Sequence, residues 1–389
     1  MQKSFRGEYK HMKTTESYRI HAGHFFRNGV FDGETTVVVE NGMITSIETG
    51  FTGKADYTYP WLSPALIDNH IHGGDGVSVY GSTPEQIEAW LVKLAEAGVG
   101  GVVLAPSGQP ERIRQALGNL KQVMDDQKTG RAGGARVIGA HLEGPFISAE
   151  KPGAMEAVIP PSVETFRQMT DGYEDIVKEM TLAPENPGAA EVIEYLCSGG
   201  IRILSGHTNA TYAEAVAAFA SGVGAQCHTF NAARSIHHRE PGVVTAALTN
   251  PDVYCEMIAD LEHLHPGTLH LIRHCKGRER ILLISDGVMT THLPDGIYGR
   301  VEVKNGVNRV VGLGCLSGGG CYTAQSVGNL VKIGFDFADA IMAGAVNPAR
   351  WMGMPTEAAV GDPVFLTGWN EDCTPAGNHI GGNTYVCGK

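Results

Sequence analysis

Apolar runs that alternate with amphipathic segments occupy the centre of the chain. The runs are rich in β-branched residues and end in polar residues or glycine, which is typical of buried parallel strands. They lie at 65–72, 98–106, 136–145, 176–185, 201–210, 224–232, 253–263 and 280–287. The segments between them, such as 83–98, 189–200 and 210–222, have apolar residues at helical spacing. Eight strands that alternate with helices predict an α/β fold, a (β/α)8 TIM-type barrel.

Both ends of the chain have β character instead. Within 18–60, two strand-like runs are joined by Asn41-Gly42, a strong hairpin signal. Segments 362–372 and 382–388 also have strand patterns. Because such short strands cannot bury both faces alone, we expect the two ends to form one small β-sandwich domain. The predicted organisation is a loose N-terminal extension at 1–17, a small β-domain at 18–62 plus 355–389, and the barrel at 63–354.

Composition and charge argue against several classes of protein. The 30 basic and 42 acidic side chains give a net charge of −12, which argues against a general nucleic-acid or anionic-membrane binder. The eight cysteines include no C-x-x-C pair, as expected for reduced thiols in a cytosolic protein. No run has the length or apolar character of a signal peptide or a membrane span. We therefore expect a cytoplasmic protein with neither nucleic acid nor membrane as a partner.

Side chains that can bind metal follow the ends of the predicted strands. Glu143 ends the third strand, and His70 and His72 lie two residues apart on the first, so that both face one side. Strands five to eight are followed by His207, His228, His263 and Asp286. A barrel keeps its chemistry at the carboxyl ends of its strands, so these side chains are expected to converge. Imidazole and carboxylate together suit Zn²⁺, Fe²⁺ or Mn²⁺.

This set of residues resembles the amidohydrolase superfamily, and the segments around it are more specific. HLEGPF (141–146), GHTNA (206–210), HHREPG (237–242) and ISDG (284–287) resemble N-acetylglucosamine-6-phosphate deacetylases. The likeness extends from about residue 60 to the end of the chain. It implies hydrolysis of N-acetyl-D-glucosamine 6-phosphate to D-glucosamine 6-phosphate and acetate, in amino-sugar metabolism.

The resemblance also implies a cofactor. Glu143, His207 and His228 would hold a primary divalent metal, and His70 and His72 would allow a second. One or two ions per subunit are therefore expected. Zinc is the first expectation, with iron or manganese as alternatives. His141 is expected to support the ligands rather than to be one.

Further roles follow from the same resemblance. Asp286 would act as general base and then general acid with metal-activated water, and His263 would bind the substrate or stabilise the tetrahedral intermediate. Arg239 would bind the phosphate of the neighbouring subunit's substrate, which implies a homodimer. The residues expected to contact the amino-sugar phosphate are Ala154, Asn231, Ala232, Arg239, His263, Leu316, Ser317 and Gly318.

Several positions depart from the family pattern. Leu261 replaces a common glycine, Met155 replaces a common histidine, and Gly287-Val288 replaces Ala-Met. None of them is an expected ligand or the expected base, but we expect all of them near the sugar. The substrate could therefore be another amino sugar such as N-acetylgalactosamine 6-phosphate, and another amidohydrolase of small amides stays open as well. A non-catalytic scaffold would be expected to have lost ligands, and none is missing.

Overall fold

The computed structural model describes residues 17–51 and 53–388. The strands are β1 (Ser17–Arg27), β2 (Val30–Phe31), β3 (Thr35–Glu40), β4 (Met43–Thr49), β5 (Tyr57–Pro64), β6 (Leu66–Ile71), β7 (Gly73–Gly74), β8 (Val77–Ser78), β9 (Val99–Leu104), β10 (Arg136–Glu143), β11 (Val177–Leu182), β12 (Arg202–Ser205), β13 (Val223–Gln226), β14 (Tyr254–Ile258), β15 (Ile281–Ile284), β16 (Gly296–Tyr298), β17 (Val301–Lys304), β18 (Val307–Val310), β19 (Phe365–Trp369), β20 (Pro375–Ile380) and β21 (Asn383–Val386).

The helices lie mainly between the central strands. They are α1 (Pro84–Glu96), α2 (Pro110–Lys128), α3 (Val163–Thr170), α4 (Ala189–Ser198), α5 (Tyr212–Ala220), α6 (Val243–Thr249), α7 (Pro266–Lys276), α8 (Thr323–Lys332), α9 (Phe337–Ile341) and α10 (Asn347–Met352), with a 3₁₀ turn at Glu174–Ile176 and a π-helical turn at Met342–Val346. Local sequence specifies some of their starts. Thr83 and Gln86 form a reciprocal capping box at α1, and Thr211 and Glu214 do the same at α5.

The central sheet is the predicted barrel. Its strands pair in the parallel order β6, β9, β10, β11, β12, β13, β14, β15. The last strand returns to the first through a parallel bridge between Ile71 and Gly287, and the His72 amide donates to the Gly287 carbonyl at 2.7 Å. Seven of the eight strands fall within a predicted segment, and β13 begins one residue before its segment, so the TIM-type fold is confirmed.

The two chain ends share a second sheet. Its order is β21, β20, β19, β5, β1, β3, β4, with β2 paired to β1. The prediction of a small β-domain from both termini is thereby confirmed, including the hairpin at Asn41-Gly42. β20 was not predicted, and it pairs with both β19 and β21.

The proposed domain boundaries remain a prediction. Residues 1–16 of the expected extension lie outside the described residues, and Ser17 already belongs to β1. The boundary at 62/63 falls inside β5, which pairs with β19 and β1 in the terminal sheet. None of the helices in 17–51 and 53–388 combines the length and apolar character needed to cross a bilayer.

Candidate metal centre and active site

The residues expected to carry the chemistry lie at one end of the barrel. Glu143 is the last residue of β10, while His207, His228 and Asp286 each follow a central strand by two residues. His70 lies near the end of β6. These are the carboxyl ends of parallel strands, where loops from different strands can converge on one substrate.

Glu143 is the centre of this cluster. Its Oε1 lies 3.2 Å from His207 Nε2 and 3.0 Å from His228 Nε2, and the two Nε2 atoms are 3.2 Å apart. On the other side, His72 Nε2 is 3.2 Å from Glu143 Oε2. His70 Nε2 is 3.5 Å from Glu143 Oε1. All four imidazoles therefore surround one carboxylate.

Asp286 joins the same cluster from β15. Its Oδ1 lies 3.2 Å from His72 Nε2 and 3.9 Å from His70 Nε2. The Asp286 side chain is 14% exposed, whereas that of Glu143 is 4% exposed. Asp286 is thus the carboxylate of the pair that is more open to water.

Backbone carbonyls determine which nitrogen of three histidines is protonated. Nδ1 of His207 faces the Lys151 carbonyl at 3.0 Å, and Nδ1 of His228 faces the Asn231 carbonyl at 3.2 Å. Nδ1 of His72 likewise faces a carbonyl oxygen at 2.5 Å. A carbonyl only accepts, so each neutral ring carries its hydrogen on Nδ1 and directs an Nε2 lone pair toward Glu143.

The donor atoms of this cluster are arranged as a cation site would require. Three Nε2 lone pairs and a carboxylate face one another, and the buried Nε2 of His70 finds no hydrogen-bond partner within residues 17–51 and 53–388. Without a positive charge between them, such acceptors repel one another and remain unsatisfied. Imidazole nitrogens with a carboxylate are a donor set that Zn²⁺, Fe²⁺ and Mn²⁺ accept. The residues present therefore fit a divalent metal.

Electrostatics keep the two carboxylates ionised. Burial alone raises the pKa of Glu143, but the charge of His70 and hydrogen bonds from His207 and His228, which these rings supply when protonated, hold that pKa well below its usual value. Burial also opposes ionisation of Asp286, and the neighbouring His72 and His70 lower its pKa. Asp286 is therefore a carboxylate at neutral pH, as a proton acceptor must be.

Three of these residues have left-handed backbone conformations. The φ angles are 47° for His207, 23° for His228 and 50° for Asp286. Each such conformation costs a non-glycine residue about 1–2 kcal/mol. Three costly conformations at one end of the barrel indicate a functional site there, because they lower the stability of the fold.

Glu256 supports the cluster and was missed from the sequence. This fully buried residue of β14 accepts from the His228 backbone amide at 2.9 Å, and its Oε2 lies 3.1 Å from His70 Nδ1. It therefore orients the ring whose Nε2 faces Glu143. A charged residue inside the apolar run 253–259 was the signal that could have revealed it. His141 Nε2 is 2.8 Å from the Thr181 hydroxyl, which agrees with support rather than ligation.

The residues expected to bind the sugar lie in loops around this cluster. Ala154 follows Gly153, which lies so close to His207 that a Cβ added to this glycine would be 3.1 Å from His207 Cε1. Gly318 has a φ of 74°, and a Cβ there would overlap Val288 and crowd the Asp286 carbonyl. The Ser317 amide donates to Asn308, and Leu316 forms a bridge with Arg309.

The residues expected at the phosphate are more dispersed. Asn231 and Ala232 lie in the turn after β13, where the Asn231 amide donates to the His228 carbonyl at 2.9 Å and Ala232 has a φ of 43°. Arg239 is exposed, and its Nη1 lies 2.6 Å from His238 Nε2. Among the described residues, the hydrogen bonds of Arg239 are to His237 and His238, and none reaches the histidine cluster.

Comparison with known proteins agrees with this geometry. Residues 61–360 match the amidohydrolase family. The N-acetylgalactosamine-6-phosphate deacetylase of Escherichia coli O157:H7 is 33% identical over 330 residues, which are 81% of this chain and 84% of that protein. The N-acetylglucosamine-6-phosphate deacetylase of Vibrio furnissii is 33% identical over 329 residues, which are 83% of this chain and 77% of that protein.

A solved structure extends the likeness to nearly the whole chain. A mutant of the N-acetyl-D-glucosamine-6-phosphate deacetylase from Mycobacterium smegmatis, in complex with N-acetyl-D-glucosamine-6-phosphate, superposes with a TM-score of 0.88. The sequences are 26% identical, and the match covers 96% of this chain and 100% of that one.

Proposed function

Because the chain belongs to the amidohydrolase family, we propose that it is a metal-dependent deacetylase of N-acetyl-D-glucosamine 6-phosphate, releasing D-glucosamine 6-phosphate and acetate. One observation carries the proposal. Glu143 Oε1 lies within 3.2 Å of both His207 Nε2 and His228 Nε2, and Asp286 enters the same cluster through His72. The names of the relatives from Vibrio furnissii and Mycobacterium smegmatis support the substrate.

Glu143, His207 and His228 would hold the primary ion, and His70 and His72 would contribute to a second. A divalent metal lowers the pKa of water and polarises an amide carbonyl when bound. Zinc is proposed first because several imidazoles suit it, with iron or manganese as alternatives.

Asp286 would take the proton from the attacking water and deliver it to the departing amine. Its ionised state and its greater exposure than Glu143 support this role. An amine leaves readily only when protonated, so the same carboxyl group acts first as base and then as acid. His263 would hydrogen-bond the substrate or stabilise the tetrahedral intermediate.

The substrate contacts follow the same reasoning. Ala154, Leu316, Ser317 and Gly318 would contact the sugar, and Asn231 and Ala232 the phosphate. Arg239 is exposed, and its hydrogen bonds within the described residues are to His237 and His238. Its guanidinium can therefore reach beyond its own chain, and we propose a homodimer in which it binds the phosphate in the neighbouring subunit. We place this reaction in the cytoplasm, where sugar phosphates are generated.

A second candidate is the deacetylase of N-acetylgalactosamine 6-phosphate. The relative from Escherichia coli carries that name, at the same 33% identity as the relative from Vibrio furnissii. In addition, a Cβ added to Gly318 would overlap Val288, and Leu261, one of the departures from the family pattern, has a φ of 68°. Both positions lie beside loops proposed to hold the sugar.

Steady-state kinetics with both sugar phosphates tests the proposal. We expect kcat/KM for N-acetylglucosamine 6-phosphate to exceed that for the galactosamine epimer by about tenfold or more, because a site built to hydrogen-bond one hydroxyl rejects its epimer. The reverse ranking would transfer the assignment to the second candidate. A zinc-loaded enzyme that hydrolyses neither compound contradicts the proposed function.

Arg239→Ala tests the phosphate contact. We expect KM for the phosphorylated substrate to rise about 10- to 100-fold, because a charge-assisted hydrogen bond is lost, with little change for unphosphorylated N-acetylglucosamine. Arg131→Ala, at another exposed arginine, is the control. Mixed dimers of Arg239→Ala and Asp286→Asn chains should regain the low KM, since one of the two sites then has both residues. An unchanged KM in Arg239→Ala contradicts the assignment.

A further inference from the structure

Asp260 is a buried carboxylate that accepts four hydrogen bonds in the loop after β14. Its Oδ1 accepts from the backbone amides of Glu262 at 3.0 Å and His263 at 2.9 Å. Its Oδ2 lies 2.8 Å from His263 Nδ1 and accepts from the Gly320 amide at 3.2 Å. The carboxylate therefore contacts both the imidazole proposed to face the substrate and a residue far away in the sequence.

The contact with Nδ1 determines the tautomer of His263. An ionised carboxylate only accepts, so Nδ1 must carry a hydrogen, and Nε2 is the nitrogen left for the substrate. The two side chains are 3% and 5% exposed, so water competes little for this bond. Burial alone raises the pKa of Asp260, but the hydrogen bonds and charge of His263 lower that pKa to about 2.

The fourth hydrogen bond joins two sides of the site. Gly320 donates to Asp260, and the preceding Gly319 donates to the Asp286 carbonyl at 2.8 Å. A Cβ on Gly319 would overlap the Ser285 carbonyl, so the turn lies directly against the end of β15. Two consecutive amides thus connect the loop of His263 with the loop of the proposed base.

We propose that Asp260 is a positioning residue for deacetylation, which sets the tautomer of His263 and holds the turn at 316–320 against the loop of Asp286. The role rests on the proposed function, in which His263 and this turn contact the substrate. Asp260 itself touches no reacting atom. Its carboxylate acts through the imidazole, as the buried aspartate of a Ser-His-Asp triad does.

Replacing Asp260 with asparagine changes the hydrogen-bonding groups of this side chain but keeps its shape. The amide of Asp260→Asn can keep its oxygen toward the backbone amides of Glu262 and His263, but then it presents an NH₂ group to His263 Nδ1 and loses the hydrogen bond from the Gly320 amide. Two donors cannot pair, so the ring must carry its hydrogen on Nε2 instead. The substitution therefore reverses the tautomer with almost no change in volume.

The first experiment is ¹⁵N NMR of histidine-labelled, zinc-loaded wild-type enzyme. The His263 signals are assigned by their loss in His263→Asn. We expect Nδ1 to be protonated in the wild type and Nε2 to be protonated in Asp260→Asn. A wild-type His263 with a bare Nδ1 overturns the proposal. The wild-type measurement needs no substrate and no folded variant at Asp260, so it can overturn the proposal independently of the proposed function.

The second experiment is a double-mutant cycle in kcat/KM. We expect Asp260→Asn to lower kcat/KM about 10²- to 10³-fold in the wild type but at least about tenfold less in His263→Asn, because the tautomer no longer matters there and only the contact with Gly320 is lost. Metal content should not change, and Asp252→Asn, at an exposed aspartate, should behave as wild type. Equal losses in both backgrounds mean that Asp260 acts only on the fold, and they overturn the proposal.

Discussion

Replacing Asp286 with asparagine is expected to lower kcat by about 10²- to 10⁴-fold, the range that a positioned general base and acid contributes. The carboxamide cannot take a proton from water or return it to the amine. Asparagine also tolerates the left-handed backbone that Asp286 adopts at a φ of 50°, so the loop should keep its shape. The measurement is kcat on N-acetylglucosamine 6-phosphate, with the melting temperature and the metal content of each preparation.

Metal content is the internal control for that variant. Glu143, His207 and His228 are unchanged in Asp286→Asn, so the purified chain should hold as much zinc as the wild type. Asp171→Asn, at an exposed aspartate paired with Arg114, should leave kcat unchanged. A variant at Asp286 that keeps more than about a tenth of the wild-type kcat would remove this residue from the proton transfer.

Glu143→Ala is expected to abolish both metal binding and hydrolysis. Glu143 is the carboxylate that all four histidines approach, and alanine leaves no oxygen ligand. Loss of a partner that only supports a ligand costs about 10- to 100-fold in affinity, so loss of the ligand itself should cost more. A Lewis-acidic cation contributes several kcal/mol to the transition state, so kcat/KM should fall about 10³-fold or more.

Elemental analysis and thermal unfolding measure this effect together. Wild-type chain should bind zinc and gain thermal stability with added zinc, since a ligand that binds only the folded state stabilises it. Glu143→Ala should show neither property. Glu164→Ala removes a carboxylate from the exposed face of α3 and is the matched control. Retention of metal and activity by Glu143→Ala would show that the ion is held elsewhere.

The amino-acid sequence by itself determined the barrel and the composition of its catalytic end. Strands and helices are distinguished by local periodicity, which depends only on neighbouring residues, and all eight barrel strands could be located in this way. The spacing of His70 and His72 and the placement of Glu143 and Asp286 after apolar runs also have local causes. A parallel barrel then brings the carboxyl ends of its strands to one rim, so convergence follows from topology.

Only the tertiary structure decided how those side chains are held. The partners of the histidine Nδ1 atoms and of Asp260 include Lys151 for His207 and Gly320 for Asp260, 56 and 60 residues away in the chain. Glu256 reaches His70 across 186 residues. His207 and Asp286, both in left-handed conformations, also have backbone hydrogen bonds to distant residues, His207 with Ser148 and Asp286 with His70. Hydrogen bonds between distant segments have no periodic signature, because their geometry exists only once the barrel has closed.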